Sequence, residues 1–203
     1  MIAIVDYGVG NLFSIRNILK KAGAESVISS DSDALLRAEK LILPGIGSFD
    51  HCMSKLKESG LQESLMQVAA SQNTPILGLC VGMQIMAKSS EEGKLQGLSW
   101  IDAECVKFKF EPKSDLKIPN IGWNDVNQKK DSRLLAGMYP DARFYFVHSY
   151  HMQCGNSADV LLTSHYGYEF VCAVESGIIY GVQFHPEKSH KFGLKLFENF
   201  IKL

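Results

Sequence analysis

The stretch Pro75-Ile76-Leu77-Gly78-Leu79-Cys80-Val81-Gly82 constrains this chain more than any other. A short apolar run reads as a buried strand, and it ends in Gly-x-Cys-x-Gly. Glycine on both sides of the cysteine lets the backbone turn sharply and pack closely. The pattern predicts a strand, a tight turn with a thiol at its tip, and a helix beyond. The same geometry with serine is the nucleophile elbow. A helix N-terminus after Val81 favours the thiolate and leaves N–H groups free beside it, so Cys80 is set up to attack a carbonyl.

The segments before the elbow alternate in type. Ile2–Val5 reads as a buried strand, and a helix capped by Asn11 carries Leu12, Ile15, Ile18 and Leu19 on one face before Gly23 ends it. Strand signals at 26–28 and 40–43 flank a helical stretch around Leu35–Ala38. Pro44-Gly45-Ile46-Gly47 breaks regular structure, and helices follow over 50–57 and 61–71. This order predicts an α/β fold: a mixed, mostly parallel sheet flanked by helices. Beyond the elbow, 100–110, 143–147, 160–163, 170–175 and 178–184 read as added β-strands, with a hairpin turn at Glu175-Ser176-Gly177 and an amphipathic helix over 191–203. No repeat or linker divides the chain, so residues 1–203 are expected to form a single domain.

Composition excludes several classes of function. Lys plus Arg number 21 against 22 Asp plus Glu, a net charge of -1, which gives no electrostatic case for nucleic acid or an anionic membrane. No apolar run is long enough to span a bilayer, and no basic leader precedes the first strand, so a cytoplasmic protein is expected. The five cysteines lack any Cys-x-x-Cys pair, which argues against a zinc site or disulfide framework. No metal or cofactor is expected.

A nucleophilic thiol needs a base, and the base an orienting group. His185 follows the buried-looking Gly181-Val182-Gln183-Phe184 and precedes Pro186-Glu187. Active-site groups in such sheets gather at the C-terminal strand ends. His185 is therefore expected to take the thiol proton, and Glu187 to fix the tautomer and stabilise imidazolium. The turn at 44–47 ends an earlier strand and can bring backbone N–H groups to the same edge, where acyl transfer needs donors for a developing oxyanion.

Leu77-Gly78-Leu79-Cys80-Val81-Gly82-Met83-Gln84 and Gln183-Phe184-His185-Pro186-Glu187 resemble the signature motifs of class I (triad) glutamine amidotransferases. Four further segments narrow the resemblance to the glutaminase subunits of imidazole glycerol phosphate synthases: 6–11, 44–49, 121–124 and 145–150. The resemblance spans essentially the whole chain and implies a flavodoxin-like sheet with added strands. It also implies hydrolysis of glutamine through Cys80, His185 and Glu187. Val81 and Ile46 would supply the oxyanion N–H groups, and Gly47, Gln84, Ser149 and Tyr150 would line the glutamine pocket. The Gly45-Ile46-Gly47 turn would act as a peptide-flip switch. The implied partner is a (β/α)8-barrel cyclase subunit, joined in a heterodimer through Asn11, Trp123, Tyr145 and Lys188, to which ammonia is channelled for histidine biosynthesis. Read alone, Trp123 is a core aromatic and Lys188 a surface charge.

Two segments depart from that pattern. Gly97-Leu98-Ser99-Trp100-Ile101 stands where Gly-Leu-Gly-Leu-Ile is usual, and Asn120 where histidine is common. They keep open a paralogous glutaminase that supplies a sugar amidotransferase in surface-polysaccharide biosynthesis. A pyridoxal phosphate synthase glutaminase fits the Trp123 and Tyr145 motifs poorly. A cysteine peptidase fits Gln84 and Gly47 less well than a small amide does, and a non-catalytic scaffold fits the intact triad poorly.

Overall fold

A computed structural model describes all residues, 1–203. Its strands are β1 (Ile2–Val5), β2 (Ser26–Ser29), β3 (Lys40–Leu43), β4 (Ile76–Leu79), β5 (Ser89–Ser90), β6 (Ala103–Lys107), β7 (Asn120–Gln128), β8 (Arg143–His148), β9 (Tyr150–Cys154), β10 (Val160–Tyr166), β11 (Tyr168–Ser176) and β12 (Ile179–Val182). Its helices are α1 (Leu12–Lys21), α2 (Ser32–Leu36), α3 (Phe49–Glu58), α4 (Gln62–Ser71), α5 (Val81–Gln84) and α6 (His190–Ile201). One sheet runs β2-β1-β3-β4-β12-β11-β10-β7-β8, with β5, β6 and β9 branching from β11. The first five strands are parallel. From β12 onward the pairing is antiparallel. The expected fold class is therefore the observed one.

The unalternating apolar runs have a direct cause. Along β1, Ala3 and Val5 enter one core while Ile2 and Ile4 enter the other. One core lies beneath α2–α5 and holds Phe49, Leu56 and Leu65. The other lies beneath α1 and α6 and holds Ile15, Leu19, Phe197 and Phe200. Strands buried on both faces read as continuous hydrophobic runs, and each fully buried Leu, Ile or Phe contributes about 1.5–3 kcal/mol.

The helix ends follow their caps. Asn11 Oδ1 accepts from the Ser14 N–H at 3.3 Å, and Ser48 Oγ from the His51 N–H at 3.4 Å. The strand expected over 100–110 forms only at 103–107, and β12 stops at Val182 rather than reaching Phe184. Before β6, the loop at 97–101 caps the C-terminal turn that follows α5. The N–H groups of Leu98, Ser99 and Trp100 donate to the Ile85, Ala87 and Met86 carbonyls. The unusual residues there thus serve that cap.

β4 is paired with β3 on one side and β12 on the other. Gly181 lies opposite Gly78, and Val182 opposite Leu79. The thiol and the imidazole therefore leave the sheet at the C-terminal ends of neighbouring parallel strands.

Candidate active site

Cys80 sits between β4 and α5 with φ 54° and ψ -115°, a conformation that side-chain-bearing residues rarely adopt. Its N–H donates to the Val182 carbonyl at 2.8 Å, which ties the elbow to β12. The glycines around it answer to contact. A Cβ on Gly82 would overlap the Leu43 carbonyl oxygen, and one on Gly45 would overlap the Gly82 nitrogen. The end of β3 thus lies backbone-to-backbone on the start of α5.

His185 Nδ1 is 2.8 Å from Glu187 Oε1, and the two side chains are 7% and 5% exposed. A 3-10 turn over Pro186–Lys188 brings the carboxylate back beneath the ring. The His185 N–H donates to the Tyr145 carbonyl at 2.9 Å, and Ser189 Oγ donates to the His185 carbonyl at 2.6 Å. Burial by itself pushes the imidazole pKa down. The hydrogen bonds and negative charge of Cys80 and Glu187 outweigh it and raise the pKa to about 10. The sulfur and the carboxylate on either side of the ring thus favour its charged form.

The turn at 44–47 is anchored from below at two of its carbonyls. Tyr7 Oη donates to Pro44 O at 2.6 Å, and the Cys52 thiol donates to Ile46 O at 3.3 Å. Burial pushes the Cys52 pKa up to about 11, so it remains a thiol. The peptide between Gly45 and Ile46 has no protein partner on either its carbonyl or its N–H.

These groups share one cavity of about 340 Å³, at the small end of the range for ligand sites. Cys80, Val81, Ile46, Gly47, Gln84, Ser149, Tyr150, His185 and Lys188 all line it. Four further residues line it: Val147 and His148, from the 145–150 segment, and Glu92 and Pro119, which no motif announces. Glu92 Oε2 accepts from the Phe49 N–H at the start of α3 at 2.8 Å. Gln183, quoted in the Gln-Phe-His-Pro-Glu segment but given no role there, is fully buried, and its amide nitrogen lies 3.9 Å from Cys80 Sγ. No group of three His, Cys, Asp or Glu side chains is arranged to hold a metal ion. A thiol, an imidazole with its carboxylate and unpaired backbone N–H groups suit acyl transfer from a small amide.

The residues expected at an interface lie beside this cavity. Trp123, read alone as a core aromatic, is 42% exposed instead and stacks on His190 at 5.5 Å. It is opposite Tyr145 across β7 and β8, and the Lys188 ammonium lies 5.9 Å from the Tyr145 ring centre. Asn11 caps α1, whose Ser14 and Asn17 share a second surface cavity with Glu187, Lys188 and His190.

Residues 3–203 match the family described as glutamine amidotransferase class-I. The chain is 50% identical to imidazole glycerol phosphate synthase subunit HisH 2 of Methanococcus maripaludis, over 100% of this chain and 99% of that one. It is 49% identical to the HisH subunit of Leptospira borgpetersenii and 45% identical to HisH 2 of Pseudomonas aeruginosa, with full coverage of both chains in each case. Among solved structures, a protein of Thermoplasma acidophilum assigned to GMP synthase aligns with a TM-score of 0.72 at 23% identity, over 99% of this chain and 92% of that one. PurLQS from Thermotoga maritima aligns at 0.72 and 17%, over 99% and 97%. At such identities the structures speak for the fold alone.

Proposed function

This chain belongs to the class-I glutamine amidotransferases and, within them, to the HisH subunits of imidazole glycerol phosphate synthase; from that premise we propose that Cys80, His185 and Glu187 are its glutaminase triad, and that it feeds ammonia to a barrel-shaped cyclase subunit. It is a glutamine-hydrolysing enzyme of histidine biosynthesis. The observation that carries the catalytic reading is the convergence of thiol and imidazole in one cavity from the ends of β4 and β12, with the Glu187 carboxylate 2.8 Å behind the imidazole.

Cys80 gives its thiol proton to His185 as its sulfur adds to the side-chain carbonyl carbon of glutamine. Negative charge moves to the carbonyl oxygen, where the N–H groups of Val81 and Ile46 receive it. His185 gives its proton to the amide nitrogen, the C–N bond breaks, ammonia leaves and a glutamyl thioester remains. Water then gives a proton to His185 and adds to the thioester carbon. The C–S bond breaks, releasing glutamate, and His185 returns the proton to the sulfur. Glutamine and water become glutamate and ammonia, with Glu187 holding the ring throughout. Glu92 supplies a carboxylate to the substrate ammonium. Gly47, Gln84, Ser149 and Tyr150 enclose the rest of glutamine.

The unanchored Gly45–Ile46 peptide is the element free to rotate, so partner binding can supply or withdraw the Ile46 donor. Asn11, Trp123, Tyr145 and Lys188 form the docking face, and ammonia passes from the cavity into the partner barrel. A role of this kind is cytoplasmic, and the ring-forming step belongs to the partner.

The test is glutamate release by the pure protein, alone and with the histidine-pathway cyclase plus its ribonucleotide ligand. Strong stimulation is expected, together with its loss in Cys80→Ser. An unstimulated protein whose Cys80 is still labelled by a glutamine-analogue electrophile would point to a sugar amidotransferase partner. Absence of both labelling and turnover would remove the catalytic reading.

A further inference from the structure

No step above uses Asn120 or His148, yet both are buried, at 1% and 6% exposure, and they face each other across β7 and β8. His148 Nδ1 lies 2.8 Å from the Tyr150 carbonyl oxygen. A carbonyl only accepts, so Nδ1 carries the hydrogen. His148 Nε2 lies 3.2 Å from the Asn120 amide nitrogen and therefore accepts. The rings of Phe108, Phe146 and Phe170 stand 5.1–5.5 Å from the imidazole. Burial there lowers its pKa to about 3, which keeps this wall of the cavity uncharged.

The Tyr150 carbonyl takes a second hydrogen bond, from Gln84 Nε2 at 3.2 Å. The other hydrogen of that amide goes to Gln183 Oε1 at 2.9 Å, and the Gln183 amide in turn reaches Cys80 Sγ. Both hydrogens of the Gln84 amide are thus committed inside the protein. Only its carbonyl oxygen is left for the cavity, and a carbonyl oxygen accepts from donors and repels carboxylates.

We propose that Asn120 and His148 form a positioning pair that holds Tyr150 and Gln84 in this orientation, making Gln84 Oε1 a fixed acceptor that selects a ligand's hydrogen-bond donor over a carboxylate. The proposal rests on the cavity being the glutamine pocket. Its consequence is a site that admits an amide or ammonium group and disfavours an oxygen anion at the same spot. Asn120 acts through His148 and touches no substrate.

Two measurements test it. Nitrogen-15 NMR of the histidine rings at pH 7 is expected to show His148 neutral and protonated at Nδ1. A ring protonated at Nε2, or charged, overturns the proposal whatever the enzyme does. In the glutaminase assay, Asn120→Leu is expected to raise KM for glutamine roughly tenfold, the scale of one lost buried hydrogen bond, with kcat changed far less. Alkylation of Cys80 by iodoacetamide should keep its rate. Asn120→His, which restores a donor to His148 Nε2, should recover most of the KM. An unchanged KM in Asn120→Leu, or equal losses in the leucine and histidine variants, would mean the pair only fills space. A wild-type protein that turns over no glutamine defeats the functional reading; an active wild type with the wrong tautomer defeats this proposal alone.

Discussion

Cys80 and Ser99 both hold φ near +55°, and the two cases differ in what the strain accomplishes. At Cys80 it thrusts the sulfur into the cavity. At Ser99 it merely closes the cap behind α5, in a position where related chains are expected to carry glycine. Each such residue costs about 1–3 kcal/mol. Ser99→Gly is therefore expected to raise the melting temperature by roughly 2–4 °C, the shift that about 1 kcal/mol gives a chain of this size, with glutaminase activity unchanged. Cys80→Gly should be inactive yet more stable than Cys80→Ala, which keeps a Cβ in the strained geometry. His185 gives a pH signature. Its pKa is raised from 6.5 to about 10, so the stabilisation from its partners is complete below pH 6.5 and disappears as pH rises through about 10. The melting-temperature gap between wild type and Glu187→Gln should accordingly narrow between pH 7 and pH 10. At this scale the meeting of Cys80, His185 and Glu187 was legible because a thiol between glycines and a His-Pro-Glu run each follow an apolar strand. The partners of Gln183, Glu92, Asn120 and His148 were not. A buried amide or a neutral histidine becomes meaningful only through partners distant in the chain, and Asn120 registered only as a departure from a pattern.

The parallel half of the sheet was readable because its strands are apolar on both faces and bounded by Gly, Pro and helix caps. The antiparallel half was less so. β7 reads Asn-Ile-Gly-Trp-Asn-Asp-Val-Asn-Gln, largely polar and mostly exposed, and β9 carries His, Gln and Cys. Both are held by ladder hydrogen bonds to neighbouring strands rather than by a hydrophobic alternation of their own. The contact between β3 and α5 was also hidden, since two glycines far apart in sequence do not announce that their backbones touch. That contact can be tested by size. Gly82→Ala drives a Cβ into the Leu43 carbonyl and should cost about 1–3 kcal/mol or more by urea unfolding, with activity lost. Gly181→Ala meets the flexible Met83 side chain at 2.7 Å and should cost less. Equal costs would show that the elbow tolerates displacement from β3.

At the scale of the whole molecule, the face beside the cavity is the part not made for water. Ile121 is 60% exposed and Trp123 42%, and His190 and Lys188 flank them. Trp123→Ala should weaken binding to the cyclase subunit by roughly 30-fold, the scale of an aromatic hot spot, while the melting temperature of the free chain moves little; calorimetric titration and thermal unfolding measure the two. An unaltered affinity would move the docking face elsewhere. The pairing of β4 with β12 bears on how the enzyme is born. Cys80 and Gln183 are 103 residues apart in the chain, and at about 5–20 residues per second a ribosome needs roughly 5–20 s to cover that distance. Throughout that interval the nascent thiol lacks His185, and β4 has β3 beside it but not β12. On the proposed triad, thiol and imidazole meet only when the last strand slots in beside β4, so an abandoned product would be chemically silent and the cell would meet the nucleophile only in chains that have been finished.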